Sequence, residues 1–265
     1  MWVRRAWVIA MALLLLYLCY QPDVDSLRHQ NPSSTALIEL RKAQARRARI
    51  PLQTHMIWRD LDEISPHLAH AVLLSEDDTF YQHHGFDLNE TWEAVKINWR
   101  KKRYAYGGST ISQQLARTLY LSPKKNLIRK LKEALLTFRL ERALSKRRIL
   151  EIYLNVVEWG RGIYGAEAAA QYYFAKSAAA LTPDEAVALA SILPSPRRWS
   201  PIGEQAFMAR RRTQLFERMQ RAGYVTPYDL NGPNNPFEPM PPGTEPPPNP
   251  DGLQGVISHE APDSL

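Results

Sequence analysis

Apolar and polar positions divide the chain into an apolar beginning, a series of amphipathic helices and a proline-rich end. Residues Ala6–Tyr20 are apolar without a break and follow Arg4-Arg5. Counted with the residues before the arginines, the run approaches the roughly 17–25 residues that cross a bilayer, so it predicts an N-terminal transmembrane helix over residues 1–22. The arginine pair predicts a cytoplasmic N-terminus and an exported remainder. A cleaved signal peptide is the alternative interpretation.

The middle of the chain is predicted to be mostly helical. Residues 21–35 are polar with two prolines and predict a linker, and residues 36–49 predict a basic helix near the membrane. We assign the linker and the basic segment together to residues 23–50, and the main domain to residues 51–225. Inside the domain, Ser65-Pro66 is typical of a helix start, and the helical spacing ends at Glu76. Further helices are predicted over 87–104, 111–121, from Ser122-Pro123 onward, over 146–157, over 166–174, from Thr182 to Pro194 and over about 204–222.

The end of the chain differs in composition from the rest. Ten of the twenty prolines lie in the last 34 residues, which contain no lysine or arginine. This composition predicts a disordered, acidic tail over 226–265.

Net charge narrows the classes of ligand. The chain carries a formal charge of +7, so its surface attracts anions such as nucleic acid, anionic lipid or a phosphorylated substrate. Its single cysteine, Cys19, excludes an internal disulfide.

A polar loop followed by concentrated cations is the first candidate site. Two glycines at 107 and 108 let the backbone approach a ligand closely, and the polar side chains that follow can exchange hydrogen bonds with it. The segment Lys124–Arg148 then carries ten Lys/Arg against two Glu. This combination predicts a site for a large anion, such as a phosphate or pyrophosphate.

Two glutamates are the candidate acids. Glu76 ends an apolar helix, where the helix dipole disfavours a negative charge, although a solvated acidic helix end is the simpler interpretation. Glu133 lies in a row of cations on one predicted helix face, with Lys125, Arg129 and Lys132. That row is either a phosphate-binding face with one oriented acid or a set of ion pairs worth about 0.3–0.5 kcal/mol each. On the same helix Leu127, Leu131, Leu135 and Phe138 make a separate apolar stripe.

Five motifs, in the family's order, resemble those of the peptidoglycan glycosyltransferases, and most closely the monofunctional, membrane-anchored members. They are Glu76-Asp77-x-x-Phe80-x-x-His83-x-Gly85-Phe86-Asp87, Gly108-Ser109-Thr110-x-x-Gln113-Gln114, Arg129-Lys130-x-Lys132-Glu133, Lys146-x-x-Ile149-Leu150-Glu151-x-Tyr153-Leu154-Asn155, and Gly165 through Tyr173-Phe174. No Ser-x-x-Lys or Lys-Thr-Gly motif follows, so we expect no transpeptidase. The resemblance implies a mostly α, lysozyme-like helical domain with a small apolar subdomain within 87–120 that contacts the membrane.

The resemblance also implies the chemistry. Substrates would be lipid II and a growing lipid-linked glycan, and Glu76 would be the general base. Glu133 would be a second catalytic acid. It would orient cations, ligate a divalent metal (Mg²⁺ or Mn²⁺) or stabilise an oxocarbenium-like centre. Two cations depart from the family pattern, which often has Lys at 117 and Arg at 125. The implied substrate-binding residues are Asp77, Phe80, His83, Gly108, Ser109, Thr110, Gln113, Gln114, Arg117, Lys125, Arg129, Lys130 and Lys132.

The implied location is the bacterial inner membrane, with one membrane span and the catalytic domain on the periplasmic side. Other cell-wall synthesis or division proteins are expected partners, and nucleic acid is not.

Two alternative functions stay open. A glycan-cleaving hydrolase of the same fold also needs paired carboxylates but no dense cation face, because its leaving group is a sugar. A membrane-tethered binder of anionic polymers would explain the charge alone.

Overall fold

The computed structural model describes residues 2–101, 108–124, 126–203 and 205–225, and these are mostly α-helical, as predicted. Short 3-10 turns lie at Asp25–Arg28, Leu61–Glu63 and Ala178–Ala180. The α-helices of the described residues are α1 (Trp2–Cys19), α2 (Ala36–Ala48), α3 (Pro66–Glu76), α4 (Leu88–Lys101), α5 (Ile111–Tyr120), α6 (Leu127–Ala143), α7 (Lys146–Val156), α8 (Ala166–Phe174), α9 (Pro183–Ile192) and α10 (Ala206–Arg221).

One hydrophobic core joins most of these helices. Helix α3 packs against α9 and α10, and α5 packs against α6 and α7. Fully buried side chains from both groups meet in this core, including Leu68 of α3, Leu115 of α5 and Leu189 of α9. The core therefore fixes the C-terminal end of α3 relative to α5 and α7, which carry the polar side chains described below.

A small sheet lies in segments of the main domain for which the sequence predicted no regular structure. Its strands are β1 (His55–Met56), β2 (Glu158–Gly160) and β3 (Ile163–Tyr164), in the order β1-β3-β2. Strand β1 is parallel to β3 and β2 is antiparallel to it. Gly162 makes the turn with φ +78°, and a Cβ there would lie 2.2 Å from the carbonyl oxygen of Gln53. Strands of two or three residues are too short to show the alternation by which strands are recognised.

The segment before residue 51 packs against the domain more closely than the linker prediction allowed. Val24 and Leu27 are buried in the core, and Ile38 of α2 is buried as well. Helix α2, predicted over 36–49, also donates from Arg41 Nη2 to Glu158 Oε2 at 3.0 Å. The packed body of the domain therefore begins near residue 24 rather than at 51.

The apolar N-terminal run forms α1, so its helical prediction is confirmed. Among the described residues, no helix is both long and apolar enough to cross a membrane. The predicted tail over 226–265 and the end of the helix predicted to residue 104 lie outside the described residues, apart from α4 up to Lys101.

Helix α6 begins later than predicted, and its apolar stripe does not face the core. The Asn126 side chain accepts from Arg129 N at 2.7 Å, and this cap starts the helix at Leu127 rather than at Ser122-Pro123. Leu136 and Leu140 fill the core side of the helix. The α6 stripe, which we define as Leu127, Ile128, Leu131, Leu135 and Phe138, is 39–89% exposed.

The location of the predicted membrane-contacting subdomain also changes. Helix α5, inside the predicted range 87–120, packs its apolar side chains into the core. In α4 of the same range, Leu88 and Trp92 are exposed, at 77% and 60%. The exposed apolar side chains of the described residues thus include those of α1, of α4 and of the α6 stripe, whereas α5 packs its apolar side chains into the core.

Candidate active site

Glu76 ends α3, and each of its carboxylate oxygens accepts a hydrogen bond. Gln114 Nε2 donates to Oε2 at 3.0 Å, and Ser75 Oγ donates to Oε1 at 3.3 Å. The amide of Gln114 is itself oriented, because Nε2 also lies 3.2 Å from Ser109 O and Oε1 accepts from Tyr153 Oη at 3.0 Å. Three elements therefore hold one carboxylate in a defined position.

Arg211 of α10 supports the other side of the same carboxylate. Its Nη2 donates to Ser75 Oγ at 3.4 Å, and its Nε donates to Ser191 O at 3.0 Å. Sequence reasoning did not identify this residue, which lies in the run Arg210-Arg211-Arg212 of a predicted surface helix. The nearest signal was the concentration of arginine at one turn of that helix.

Burial raises the pKa of the Glu76 carboxyl above its ordinary value. The hydrogen bonds from Gln114 and Ser75 and the positive charges of Arg211 and Arg117 work in the opposite direction. Burial likewise raises the pKa of Tyr153 well above its ordinary value, and the neighbouring Glu76 charge adds to the effect. Glu76 is therefore a stronger base than an exposed glutamate, while Tyr153 stays a neutral hydrogen-bond donor.

We expect Arg211→Gln to shift the acid limb of the activity profile to higher pH. Arg211 favours the ionised form of Glu76, so its loss raises the pKa of that carboxyl further and a larger fraction is protonated at a given pH. Activity should fall most at the acid end and recover as the pH rises. The pH profile of the enzymatic activity measures this, with Arg210→Gln as the matched exposed control on α10. A uniform loss at every pH would contradict an effect through Glu76.

Asp77, His83 and Gly85 brace the loop rather than line an open surface. Asp77 is 2% exposed, accepts from Ile111 N at 2.9 Å and lies 2.8 Å from His83 Nε2. Gly85 N donates to His83 Nδ1 at 3.0 Å, so the ring proton is on Nε2, facing Asp77. Gly85 has φ +89°, and its carbonyl accepts from Thr110 Oγ1 at 2.8 Å. These contacts tie the end of α3 to the start of α5.

The polar loop begins α5 through a capping box. Thr110 Oγ1 accepts from Gln113 N at 3.2 Å, and Gln113 Oε1 accepts from Thr110 N at 3.2 Å. Gln113 is 7% exposed, so its side chain serves the helix start, whereas Gln114 reaches Glu76. Gly108 and Ser109 are partly buried just before the cap. Phe80 is fully buried, with Lys146 Nζ 4.3 Å from its ring centroid. The predicted contacts of these residues with substrate stay a prediction.

Glu133 is fully buried and holds a cluster of cations. Arg129 Nη1 donates to its Oε2 at 2.5 Å, Lys130 Nζ donates to its Oε1 at 2.5 Å, and Arg117 Nη1 lies 3.9 Å from Oε2. We call these four residues the Glu133 cluster. It carries a net charge of +2, so its solvent-facing cations Arg117 and Lys130 can attract an anion.

Contacts through Ser109 and Gln114 connect Glu76 to the Glu133 cluster. Lys130 Nζ lies 3.5 Å from Ser109 Oγ, and the carbonyl of Ser109 contacts the same Gln114 amide that contacts Glu76. Arg117 lies beside Glu133 and also acts on the ionisation of Glu76. The structure therefore brings together the base candidate, the polar loop and three of the predicted cations.

Among the predicted cations that the structure describes, Lys132 binds elsewhere. Lys132 is 3% exposed and donates to the carbonyl oxygens of Tyr17 at 2.7 Å and Leu18 at 3.1 Å, and also to that of Tyr20. Its side chain thus binds the end of α1, because positions 132 and 133 diverge around the helix. Lys125, the other cation of the predicted row, lies outside the described residues.

The arrangement does not fit a metal ion bound by Glu133. Both oxygens of that carboxylate already accept from cations, and cations beside a site repel a metal. Within the described ranges, no group of three His, Cys, Asp or Glu residues could hold a metal.

Comparison with known proteins agrees with this geometry. A family model described as Transglycosylase matches residues 43–220. The chain is 48% identical over 201 residues to a biosynthetic peptidoglycan transglycosylase of Aromatoleum aromaticum. The matched residues make up 74% of this chain and 87% of the relative. It is also 41% identical over 254 residues to a protein of the same name from Alcanivorax borkumensis, covering 94% of this chain and 98% of the relative.

Proposed function

Since the chain belongs to the biosynthetic peptidoglycan transglycosylase family and is a glycosyltransferase, we propose that it polymerises lipid II into β-1,4-linked glycan strands. The observation that carries the proposal is the pairing of Glu76 with the Glu133 cluster across the Ser109–Gln114 loop. A general base and a site for a diphosphate leaving group are the two parts that this transfer requires.

Glu76 is the proposed general base. It removes the proton from the 4-hydroxyl of the acceptor's GlcNAc, and the oxygen then forms a bond to the anomeric carbon of the donor's MurNAc. The raised pKa increases its basicity, and the hydrogen bonds from Ser75 and Gln114 fix its direction. Attack opposite the α-linked diphosphate inverts the anomeric centre. The bond to undecaprenyl diphosphate breaks, and that diphosphate leaves with the electron pair.

The cations of the Glu133 cluster bind the leaving diphosphate in this proposal. A diphosphate needs little protonation to leave, but its developing charge must be stabilised. Arg117 and Lys130 offer donors on the solvent side, and Glu133 holds Arg129 and Lys130 in place before substrate arrives. Glu133 thus acts as a positioning residue in the proposed mechanism, and the chemical step is assigned to Glu76.

The proposed location is the periplasmic face of the bacterial inner membrane, because the lipid chain of the substrate stays in the bilayer. The apolar exposed side chains of α1, of α4 and of the α6 stripe support contact with lipid. A membrane anchor over residues 1–22 and partners among cell-wall synthesis or division proteins belong to this proposal as well.

Labelled lipid II tests the proposal directly. We expect the purified full chain to convert it into longer glycan and to release undecaprenyl diphosphate, with inhibition by moenomycin, which resembles the donor. Parallel samples with Mg²⁺, with Mn²⁺ and with a chelator establish whether a divalent metal accompanies the diphosphate. Shorter fragments from isolated sacculi, without polymerisation of lipid II, would instead indicate a hydrolase.

A further inference from the structure

A cavity lined by arginines lies at the C-terminal end of the α6 stripe. It has a volume of about 410 Å³, and Arg28, Arg139 and Arg142 line it together with Val24 and Phe138. Asp25 is the acidic residue in its lining, where it pairs with Arg28 at 3.2 Å. The lining therefore keeps a net charge of +2.

The cavity is continuous with exposed apolar surface. Phe138, which is 53% exposed, belongs both to the α6 stripe and to the cavity lining, and Arg142 lies 5.5 Å from its ring centroid, one turn further along the helix. From Leu127 to Arg142 the helix extends about 22 Å. One face of α6 therefore presents apolar side chains along most of its length and positive charge at its end.

The end of α1 lies beside this face. Lys132 binds the last carbonyl groups of α1, and Arg139 Nη1 donates to Pro22 O at 3.0 Å. Trp7, Ile9 and Leu16 of α1 are also exposed, at 59–70%. The C-terminal end of α1 thus lies beside α6, and the arginine cavity lies next to the chain that leaves α1.

We propose that this region is a binding site for an anionic phospholipid, distinct from the glycan-transfer site. Its phosphate lies in the cavity among Arg28, Arg139 and Arg142, and its acyl chains lie along the α6 stripe. A soluble phosphate would use the arginines but leave the stripe exposed, and a zwitterionic lipid would use the stripe but not the charge. Only a ligand that combines acyl chains with net negative charge satisfies both parts.

Native mass spectrometry of the full chain in detergent tests the site, with phosphatidylglycerol and phosphatidylcholine of identical acyl chains as probes. Arg28→Gln/Arg142→Gln removes two exposed charges while keeping Arg139, which bonds to the backbone. We expect phosphatidylglycerol affinity to fall roughly tenfold in this variant. Arg210→Gln/Arg221→Gln, with the same charge change on exposed positions of α10, should bind like wild type. Millimolar inorganic phosphate should not displace the lipid.

Several outcomes would overturn the site. They are equal retention of the two lipids by wild type, unchanged phosphatidylglycerol affinity in Arg28→Gln/Arg142→Gln, an equal loss in the α10 control, or displacement by inorganic phosphate. The measurement reads lipid binding without glycan transfer, so its failure would leave the proposed activity untouched.

Discussion

Glu76→Gln should reduce polymerisation of lipid II by about 10²–10⁴-fold, the range typical for loss of a general base. Glutamine keeps the size of the side chain, its amide oxygen can accept from Gln114, and its amide nitrogen can donate to the Ser75 hydroxyl, so substrate binding should change little. The amide cannot take a proton from the acceptor hydroxyl at any pH. Initial rates with labelled lipid II, measured across the pH range, test the base assignment, and a wild-type rate would exclude it.

The same variant should be more thermally stable than wild type at alkaline pH. Because burial raises the pKa of Glu76, the folded state binds its proton more tightly than the unfolded state does. The ionised carboxylate therefore costs stability above the folded-state pKa, and this cost disappears as the pH falls through that pKa. Melting temperatures of Glu76→Gln and wild type should differ most near pH 8 and converge towards about pH 4. Glu217→Gln, at an exposed position of α10, is the control.

Glu133→Gln should produce the largest loss of stability, together with a loss of activity. The change leaves Arg129, whose side chain is 11% exposed, without its carboxylate partner, and it weakens the hold on Lys130 and Arg117. Breaking a buried ion pair by removing one member costs about 3–5 kcal/mol. Lys130 and Arg117 are partly exposed, so we expect about 3 kcal/mol, or roughly 6–12 °C in melting temperature.

Activity of Glu133→Gln should fall about 10²-fold, because disordered cations stabilise a leaving diphosphate poorly. Glu93→Gln is the matched control, since it removes the acid of an exposed i,i+3 pair with Lys96 on α4. Such an exposed pair contributes less than about 0.5 kcal/mol. If both variants melted at the wild-type temperature, Glu133 would not be what orders its cations.

Local signals predicted the helices well, and non-local pairing was missed. The start of α9 was read from Thr182, Pro183 and Glu185, and the structure contains that capping box. The start of α6 was misplaced because Ser122-Pro123 and Asn126 are both suitable local signals. Strands β1 and β3 pair His55 with Ile163, which are far apart in the sequence, and no local pattern encodes this contact.

For the candidate site, the sequence predicted residue types better than partners. Glu76, Gln114 and Glu133 were found through their motifs, and the structure brings them into one region. Arg211 was missed because its contact with Ser75 depends on the packing of α10 against α3. Lys132 was placed with the phosphate-binding cations because helical spacing alone does not distinguish adjacent sides of α6. Val24 and Leu27 were assigned to a linker because two isolated apolar residues show no periodicity.

The hydrogen bond from Ile111 to Asp77 closes a loop in the chain. These two residues are 34 positions apart, and α4 lies in the sequence between them. Because the hydrogen bond joins the two ends of this segment, changes in its length need not move Glu76 relative to Gln114. Insertions or deletions in α4 and its flanks are therefore compatible with an unchanged arrangement of the candidate site.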